Sequence, residues 1–317
     1  MSESRLIKLL LALGFVRKCQ AKTCHKYVLP HAQHPFFCTG WGQSFISLRQ
    51  QVLVLFCNVT RVDTGKIHVL MGLGAKAVQT LSARWRRAVT AYVQRQQEAQ
   101  LFGNLRTWVQ AEVDEVTVRG KKSGKQVTWF QYCGLLERGN RKSLTFVEMR
   151  VKSTSVELNG KGKGFAVSPG SISKKEWKQI GFRYLKNRKI LLHCDGARAY
   201  RYVQIPGVIT DSVRHKRPNP IYTATWKHRL PRDYRKAHVK GLPKDQVDTV
   251  WVKKGTQLID NVWRQLKLIG VPKSTKADEG NIDERVREFQ WHHWHAEQDK
   301  FAAVGDIVRA ACKARRL

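Results

Sequence analysis

The spacing of apolar residues divides the chain into a helical segment followed by a region of strands. The first helix is predicted by apolar side chains at helical spacing, which are Phe45, Leu48, Val52, Leu55 and Phe56. Asp63 or Thr64 is placed to cap a second helix. Met71–Gly74 then predicts a tight turn, and a third helix follows from Ala75 to about Gln97. Residues 45–97 are therefore expected to be helical.

From about residue 111 the pattern changes to segments rich in Val, Thr, Phe, Trp and Tyr, which predict strands. Gly/Lys and Gly/Asn turns separate the first three, as in an antiparallel meander: Glu112–Gly120, Gln126–Glu137 and Ser143–Val151. A capping box at Ser173–Glu176 predicts a helix that ends near Leu185.

The last part of the chain predicts strands and helices in alternation. Lys189–Cys194 is a short apolar run that suits a buried strand, and Val247–Val252 is a weaker strand. Helices are predicted at Gln257–Ile269 and at Asp283–Arg309. Strands first, and then strand and helix in alternation, predict an α/β layer fold.

The net charge is far outside the range of an ordinary protein surface. The 317 residues include 58 Lys and Arg against 24 Asp and Glu, which gives a formal net charge of +34. Such a charge attracts polyanions, so DNA or RNA is the expected partner. An anionic membrane is less favoured, because the charge is spread along the chain and not gathered on one amphipathic helix. No apolar run is long enough to predict a transmembrane span.

The cysteine pattern and the N-terminus predict an intracellular protein. Seven cysteines at irregular spacing do not suggest a disulfide framework. The leucine-rich start is interrupted by Lys8 and predicts a short amphipathic helix, not a signal peptide. We expect the nucleus if the source is eukaryotic, and otherwise the cytoplasm or nucleoid.

Residues 1–44 contain a cluster of potential zinc ligands. Cys19, Cys24 and Cys38 lie close to three histidines, which are His25, His31 and His34. A zinc ribbon needs two cysteine pairs, and here the second pair is broken because Trp41 stands where a cysteine would follow. A histidine could supply the fourth ligand. The alternative is a knob without metal.

The helices of residues 45–97 have the outline of a helix-turn-helix, whose second helix can lie in the major groove of DNA. The alternative is a helical hairpin with a solvated basic face. The side chains predicted to contact DNA are Lys76, Gln79, Arg84, Arg86 and Arg87.

Residues 214–244 are strongly basic and contain Tyr222, Trp226 and Tyr234. Positive charge for phosphates and rings for bases predict an insertion that contacts nucleic acid. A disordered basic loop is an equal alternative.

Three carboxylates stand out because acids are scarce in this chain. Asp114 lies in a predicted strand, Asp195 follows the apolar strand Lys189–Cys194, and Asp260 lies on a predicted helix. Carboxylates gathered in this way could hold divalent metal beside a phosphate backbone. Lys267, two helical turns after Asp260, could hold the DNA backbone.

The segments around these acids resemble a known family. Val-Asp-Glu (113–115), Asp-Gly (195–196) and Thr-Gln-Leu-Ile-Asp-Asn-Val-Trp-Arg-Gln-Leu-Lys (256–267) are similar to motifs of the DDE transposases of the Merlin type and their bacterial insertion-sequence relatives. Glu-Phe-Gln-Trp-His-His (288–293) resembles a further segment of that family. The resemblance runs from about Cys19 to about Ala310.

The resemblance implies a fold and a domain order. The expected fold class is α/β, with a ribonuclease-H-like mixed sheet and flanking helices, preceded by a small Cys/His knob and a helix-turn-helix. The knob would occupy residues 1–44, the helix-turn-helix 45–105, and the catalytic domain 106–317 with a basic insertion at about 214–245.

The resemblance also implies an activity. Asp114, Asp195 and Asp260 would bind two Mg²⁺ or Mn²⁺ ions, Cys19, Cys24 and Cys38 would bind Zn²⁺, and Lys267 would take the family's basic position. The protein would bind transposon ends in double-stranded DNA, as a dimer or larger assembly, and carry out phosphodiester hydrolysis and strand transfer. No membrane is involved in this activity.

The chain departs from the family in three places. The third acid is Asp260 where the family usually has Glu, the second cysteine pair is missing, and 64 residues separate Asp195 from Asp260. Three alternatives therefore stay open: an inactive DNA-binding protein derived from a transposase, a ribonuclease-H-like nuclease acting on RNA or a hybrid, and a basic RNA-associated protein without a metal site.

Overall fold

A computed structural model of the chain describes residues 17–18, 27–28, 37, 46–158, 164–213 and 221–314. The chain divides into two compact units, the first formed by Met1–Tyr92 with Glu297–Leu317 and the second by Val93–Ala296. In the described residues the helices are α1 (Leu48–Val59), α2 (Thr64–Met71), α3 (Ala75–Glu98), α4 (Lys174–Tyr184), α5 (Arg198–Tyr202), α6 (Gln257–Gln265), α7 (Glu279–Trp294) and α8 (Lys300–Ala314). The strands are β1 (Arg17–Lys18), β2 (Tyr27–Val28), β3 (Val109–Ser123), β4 (Gln126–Glu137), β5 (Thr145–Glu148), β6 (Lys152–Leu158), β7 (Gly164–Ala166), β8 (Ile190–Cys194), β9 (Val208–Ser212), β10 (Ala224–Pro231) and β11 (Val247–Lys254).

The first unit contains α1, α2, most of α3 and α8. A capping box at Ser47 begins α1, and the Asp63 carboxylate accepts the N–H of Gly65 at 2.7 Å to begin α2. Gly72 ends α2 in the left-handed conformation, with φ of 61°, which a residue with a Cβ adopts less readily. The helices that the sequence predicts are therefore present, and a small apolar core joins them, formed by Val54, Cys57, Ile67 and Val78.

The second unit is built on a mixed seven-stranded sheet of order β7-β6-β4-β3-β8-β9, with β5 also paired to β4. The pairs among β3 to β7 are all antiparallel, whereas β8 lies parallel to β3 and β9 lies parallel to β8. The parallel strands require crossovers, and α4 and α5 supply them.

Helices cover both faces of this sheet. On one face Trp177 and Tyr184 of α4 and Tyr200 of α5 join the largest described core, which includes Val113 and Leu192 of the strands. On the other face α6 and α7 contact the sheet, and the ring of Phe146 stacks on Trp263 of α6 and Phe289 of α7. The mixed α/β sheet with flanking helices is confirmed, and it is compatible with a ribonuclease-H-like fold.

Two helix predictions are wrong in their extent. The predicted helix Asp283–Arg309 is two helices, because α7 ends at Trp294 and the Asp299 carboxylate accepts the N–H of Phe301 at 2.8 Å to begin α8. The predicted helix Gln257–Ile269 is α-helical only to Gln265, and a π-turn at Leu266–Gly270 follows before Pro272. Proline cannot continue the helical hydrogen bonds.

The basic segment is not a loop throughout, because its described part, residues 221–244, contains the strand β10. β10 and β11 pair antiparallel along all eight residues of each strand, from Ala224 opposite Lys254 to Pro231 opposite Val247. Residues 214–220 lie outside the described residues. None of the described helices is long and apolar enough to cross a membrane.

Candidate metal centre

The register between two parallel strands brings Asp114 and Asp195 together. Glu112 of β3 lies opposite His193 of β8, so two residues further along both strands Asp114 lies beside Asp195, where β8 has just ended. Gly196 has a φ of 83°, and the Asp195 carboxylate accepts the N–H of Ala197 at 2.9 Å. Carboxyl ends of parallel strands are a usual place for ligand groups.

Glu115 completes the cluster. Oxygen atoms of Asp114, Glu115 and Asp195 all lie within 4.8 Å of one another, and each side chain is half-buried. The Glu115 carboxylate accepts hydrogen bonds from the hydroxyl of the buried Tyr200 and from the N–H of Ile172, at 3.0 Å for the latter. We call Asp114, Glu115 and Asp195 the acidic cluster. Within the described ranges it is the one group of three or more potential ligands with spacing suited to a metal ion.

The carboxylates of the acidic cluster repel one another when they are ionised. Burial, followed by the charges of Glu115, Asp195 and Asp260, raises the pKa of Asp114 to about 8. Burial also raises the pKa of Glu115, although the hydrogen bonds from Tyr200 and Ile172 oppose it. A bound cation would relieve this repulsion, and three carboxylates are the hard oxygen donors that Mg²⁺ and Mn²⁺ prefer, so the residues fit such an ion.

Asp260 lies apart from the acidic cluster. It is exposed in the first turn of α6, and its carboxylate accepts the Thr256 hydroxyl at 3.1 Å. It does not belong to the group of oxygens within 4.8 Å, but its charge contributes to the raised pKa of Asp114. Its role as a metal ligand stays a prediction.

Trp263 of α6 forms a hydrogen bond with the acidic cluster. Its indole N–H donates to the Asp114 carboxylate at 2.9 Å, and its ring packs on Phe146 with 5.2 Å between the ring centroids. Gly134, opposite Asp114 on β4, leaves room for this ring, because a Cβ there would lie 2.3 Å from it. The sequence offers no local signal for this contact, since Trp263 and Asp114 are 149 residues apart.

Glu112 is a second acid that sequence reasoning did not assign. It is fully buried and accepts the backbone N–H groups of Leu258 and Ile259 at 2.8 and 3.0 Å, where α6 begins. Arg138 forms an ion pair with it at 2.8 Å and also donates to the backbone oxygen of Gly255 at 2.8 Å. Glu112 therefore positions the helix that carries Asp260 against the strand that carries Asp114.

The predicted DNA contacts differ in exposure. Lys76, Gln79 and Arg87 are exposed on α3, whereas Arg84 and Arg86 are partly buried. Lys267 is exposed in the π-turn, so its spacing from Asp260 is no longer two regular helical turns. The predicted zinc ligands Cys19, Cys24 and Cys38 lie outside the described residues. All these assignments stay predictions.

Comparison with known proteins gives only distant similarities. No protein-family model matches the chain, and no curated protein matches it. Among solved structures, NurA bound to dAMP and manganese is 9% identical, with 69% of this chain and 63% of that chain covered and a TM-score of 0.17. NurA with manganese is 7% identical, with 71% and 67% covered and a TM-score of 0.18. The chain thus spans about 63% of the first NurA chain, and similarities this low support no argument about fold or function.

Proposed function

We propose that the chain catalyses metal-dependent cleavage of phosphodiester bonds in DNA. The observation that carries the proposal is the acidic cluster, in which Asp114, Glu115 and Asp195 bring three carboxylates within 4.8 Å in a protein of net charge +34. Anionic ligands attract divalent metal, and the surrounding positive charge attracts the polyanionic substrate.

The order of strands supports the proposal. The resemblance to DDE transposases implies a mixed sheet, and in this sheet the first strand, β3, pairs with the antiparallel β4 on one side and with the parallel β8 on the other. The acids lie on that first strand and at the end of the first parallel strand, β8, as the resemblance implies.

The side chains have distinct parts in this chemistry. Asp114, Glu115 and Asp195 would hold the cation, while the Trp263 N–H orients Asp114 and the Tyr200 hydroxyl orients Glu115. A divalent cation bound there would polarise the phosphate and favour deprotonation of the attacking water or 3′-hydroxyl. Asp260 would extend the anionic surface and contribute to a second cation.

Asp195→Asn tests whether the acidic cluster is required for cleavage. The purified protein should nick supercoiled DNA with Mg²⁺ or Mn²⁺ and lose this activity with EDTA. Asp195→Asn should lower the rate by at least about 100-fold, because even the partners of metal ligands contribute 10- to 100-fold. Gel analysis of nicked and closed plasmid measures the rate, and calorimetry with Mn²⁺ should show weaker binding by the variant.

Asp248→Asn is the matched control, since Asp248 is an exposed acid paired with Arg232 on the β10–β11 hairpin. It should leave the nicking rate unchanged. Equal rates for wild type and Asp195→Asn would contradict the proposal. DNA affinity without nicking by any variant would favour the inactive DNA-binding protein instead.

We further propose that the cleavage belongs to a transposase of the Merlin type, on the strength of the sequence motifs alone. Incubation of a plasmid with short DNA carrying free 3′-hydroxyl ends should then give joined products. Cleavage of an RNA–DNA hybrid without cleavage of duplex DNA would favour the ribonuclease-H-like nuclease.

A further inference from the structure

The β10–β11 hairpin has two different faces. Strand pairing places Thr225 opposite Lys253, Lys227 opposite Trp251 and Arg229 opposite Thr249, so these six side chains share one face. All six are exposed. We call this set the outer face. The opposite face includes the buried Leu230 and Val252 and the half-buried His228.

Hydrogen bonds and an ion pair hold the hairpin against the rest of the second unit. His228 contacts the carboxylate of Asp211 on β9 at 2.8 Å, and the indole N–H of Trp108 donates to the Pro231 oxygen at 2.9 Å. Arg138 donates to the backbone oxygens of Lys253 and Gly255. A rigid support lowers the entropy lost when a ligand binds to the outer face.

Trp251 at the centre of the outer face is an unusual residue to expose. Its relative exposure is 67%, and the Lys227 ammonium lies 5.8 Å from the ring centroid. An indole combined with adjacent cations is the pairing used by proteins that stack bases and neutralise phosphates of single strands.

The charge of the outer face selects the partner. Three of its six side chains are basic, namely Lys227, Arg229 and Lys253, and none of the six is acidic. A second copy of this chain would bring a like charge to the same surface, which opposes self-association through this face. A single-stranded nucleic acid can pair its phosphates with the basic side chains and stack a base on the indole ring. The bases of an intact duplex are already stacked and offer no free face.

We propose that the outer face binds unpaired nucleotides of a nucleic acid strand, with a base stacked on Trp251 and phosphates near Lys227 and Lys253. This deepens the proposed function and rests on it for nucleic acid as the substrate class. The outer face is linked to the elements that carry the acidic cluster in two ways. β11 continues through Gly255 and Thr256 into α6. Arg138 also joins the hairpin to Glu112 of β3.

Fluorescence anisotropy in EDTA tests the proposal without any cleavage. The probes are a fluorescein-labelled oligothymidine and a blunt duplex of the same length. Trp251→Ala should weaken binding of the single strand by about tenfold or more, and Trp251→Phe should restore most of it, because stacking needs a ring and not an indole. Binding of the duplex should change by less than about threefold, because its bases are already stacked.

A pair of charge variants provides the matched control. Lys227→Gln with Lys253→Gln should reduce the slope of log affinity against log salt for the single strand by about 1.4, or about 0.7 for each lost phosphate contact. Lys121→Gln with Lys122→Gln removes two exposed charges from β3 and should leave that slope unchanged.

Two results would contradict binding to the outer face. One is an equal reduction of the salt slope in both double variants, and the other is an unchanged affinity of Trp251→Ala for the single strand. Thermal melting of each variant checks that the fold is intact, which the exposure of Trp251 favours. The binding assay contains no metal and the nicking assay does not depend on Trp251. A negative result in one assay therefore does not decide the other proposal.

Discussion

A single carboxylate, that of Glu112, joins the strand and the helix that carry two of the predicted acids. It is fully buried, and its oxygens accept hydrogen bonds from Arg138 and from the backbone N–H groups of Leu258 and Ile259. Negative charge where a helix begins is also favoured by the helix dipole. Glu112 therefore acts as a positioning residue for Asp260.

Glu112→Gln should lower the free energy of unfolding by about 2–4 kcal/mol, because the substitution leaves Arg138 without its buried counter-charge. Urea unfolding followed by circular dichroism measures this change. Asp248→Asn, which breaks the exposed pair with Arg232, should change stability by less than about 1 kcal/mol. Similar small effects of both substitutions would show that Glu112 does not hold α6 in place.

Sequence reasoning identified part of the cluster at this scale. Asp114 and Asp195 could be found because each lies on or just after an apolar strand, which is an unusual place for an acid in a basic chain. Glu115 was missed as a ligand because neighbouring residues of a strand point to opposite faces. Trp263 and Glu112 were missed because their partners are distant in sequence.

At the scale of elements, close packing between α6 and the sheet depends on Gly134. The ring of Trp263 fills the space above this residue, and Ile259 of the same helix lies beside it. The distance between helix and sheet is therefore set by the absence of a side chain at one position of β4.

Gly134→Ala should destabilise the protein by about 1–3 kcal/mol, the usual effect of an added methyl group in a packed core. It should also lower metal-dependent nicking, since displacement of Trp263 removes the hydrogen bond to Asp114. Gly280→Ala is the control, because a Cβ at Gly280 meets nothing within 4 Å. Equal melting temperatures for the two variants would contradict this account of the packing.

The hydrophobic pattern predicted most of the described helices and the strands β3, β4, β5, β8 and β11, but it missed the other described strands and several boundaries. β3, β4 and β8 agree with the predicted segments to within a few residues. The break between α7 and α8 was missed because no glycine or proline marks it, and the cap at Asp299 resembles an ordinary surface acid. β11 was predicted as a weaker strand, but its partner β10 was missed because lysine, histidine and arginine interrupt its apolar alternation.

At the scale of the whole molecule, the net charge of +34 makes acid a particular threat, because protonation of the few carboxylates adds to self-repulsion. Asp211 resists this. Burial would raise its pKa, but hydrogen bonds from His193 and His228 outweigh burial and lower the pKa to about 2.

Asp211→Asn should lower the free energy of unfolding at pH 7 by about 2 kcal/mol, since one pKa unit corresponds to about 1.4 kcal/mol. The folded-state pKa lies below the unfolded value, so this stabilisation is present above about pH 4 and is lost as the pH falls to about 2. Urea midpoints measured from pH 7 to pH 2 should therefore converge for wild type and variant. A constant difference across this range would contradict the assignment.

The division into two units was beyond the reach of sequence reasoning. It falls between Tyr92 and Val93, inside the continuous helix α3, where neither composition nor a turn signal changes. Units of this kind are defined by contacts between distant residues, such as those that join Glu297–Leu317 to the N-terminal part of the chain.

The pairing of β3 with β8 limits how the gene can change in length. Adding one residue between Val109 and Asp114, or between Ile190 and Asp195, would turn a carboxylate to the other side of the sheet. The turn at Ser123–Gln126, far along β3 from the acids, has no such constraint. Insertions and deletions that survive selection should therefore accumulate in such turns, while the two short strand segments keep a fixed number of codons.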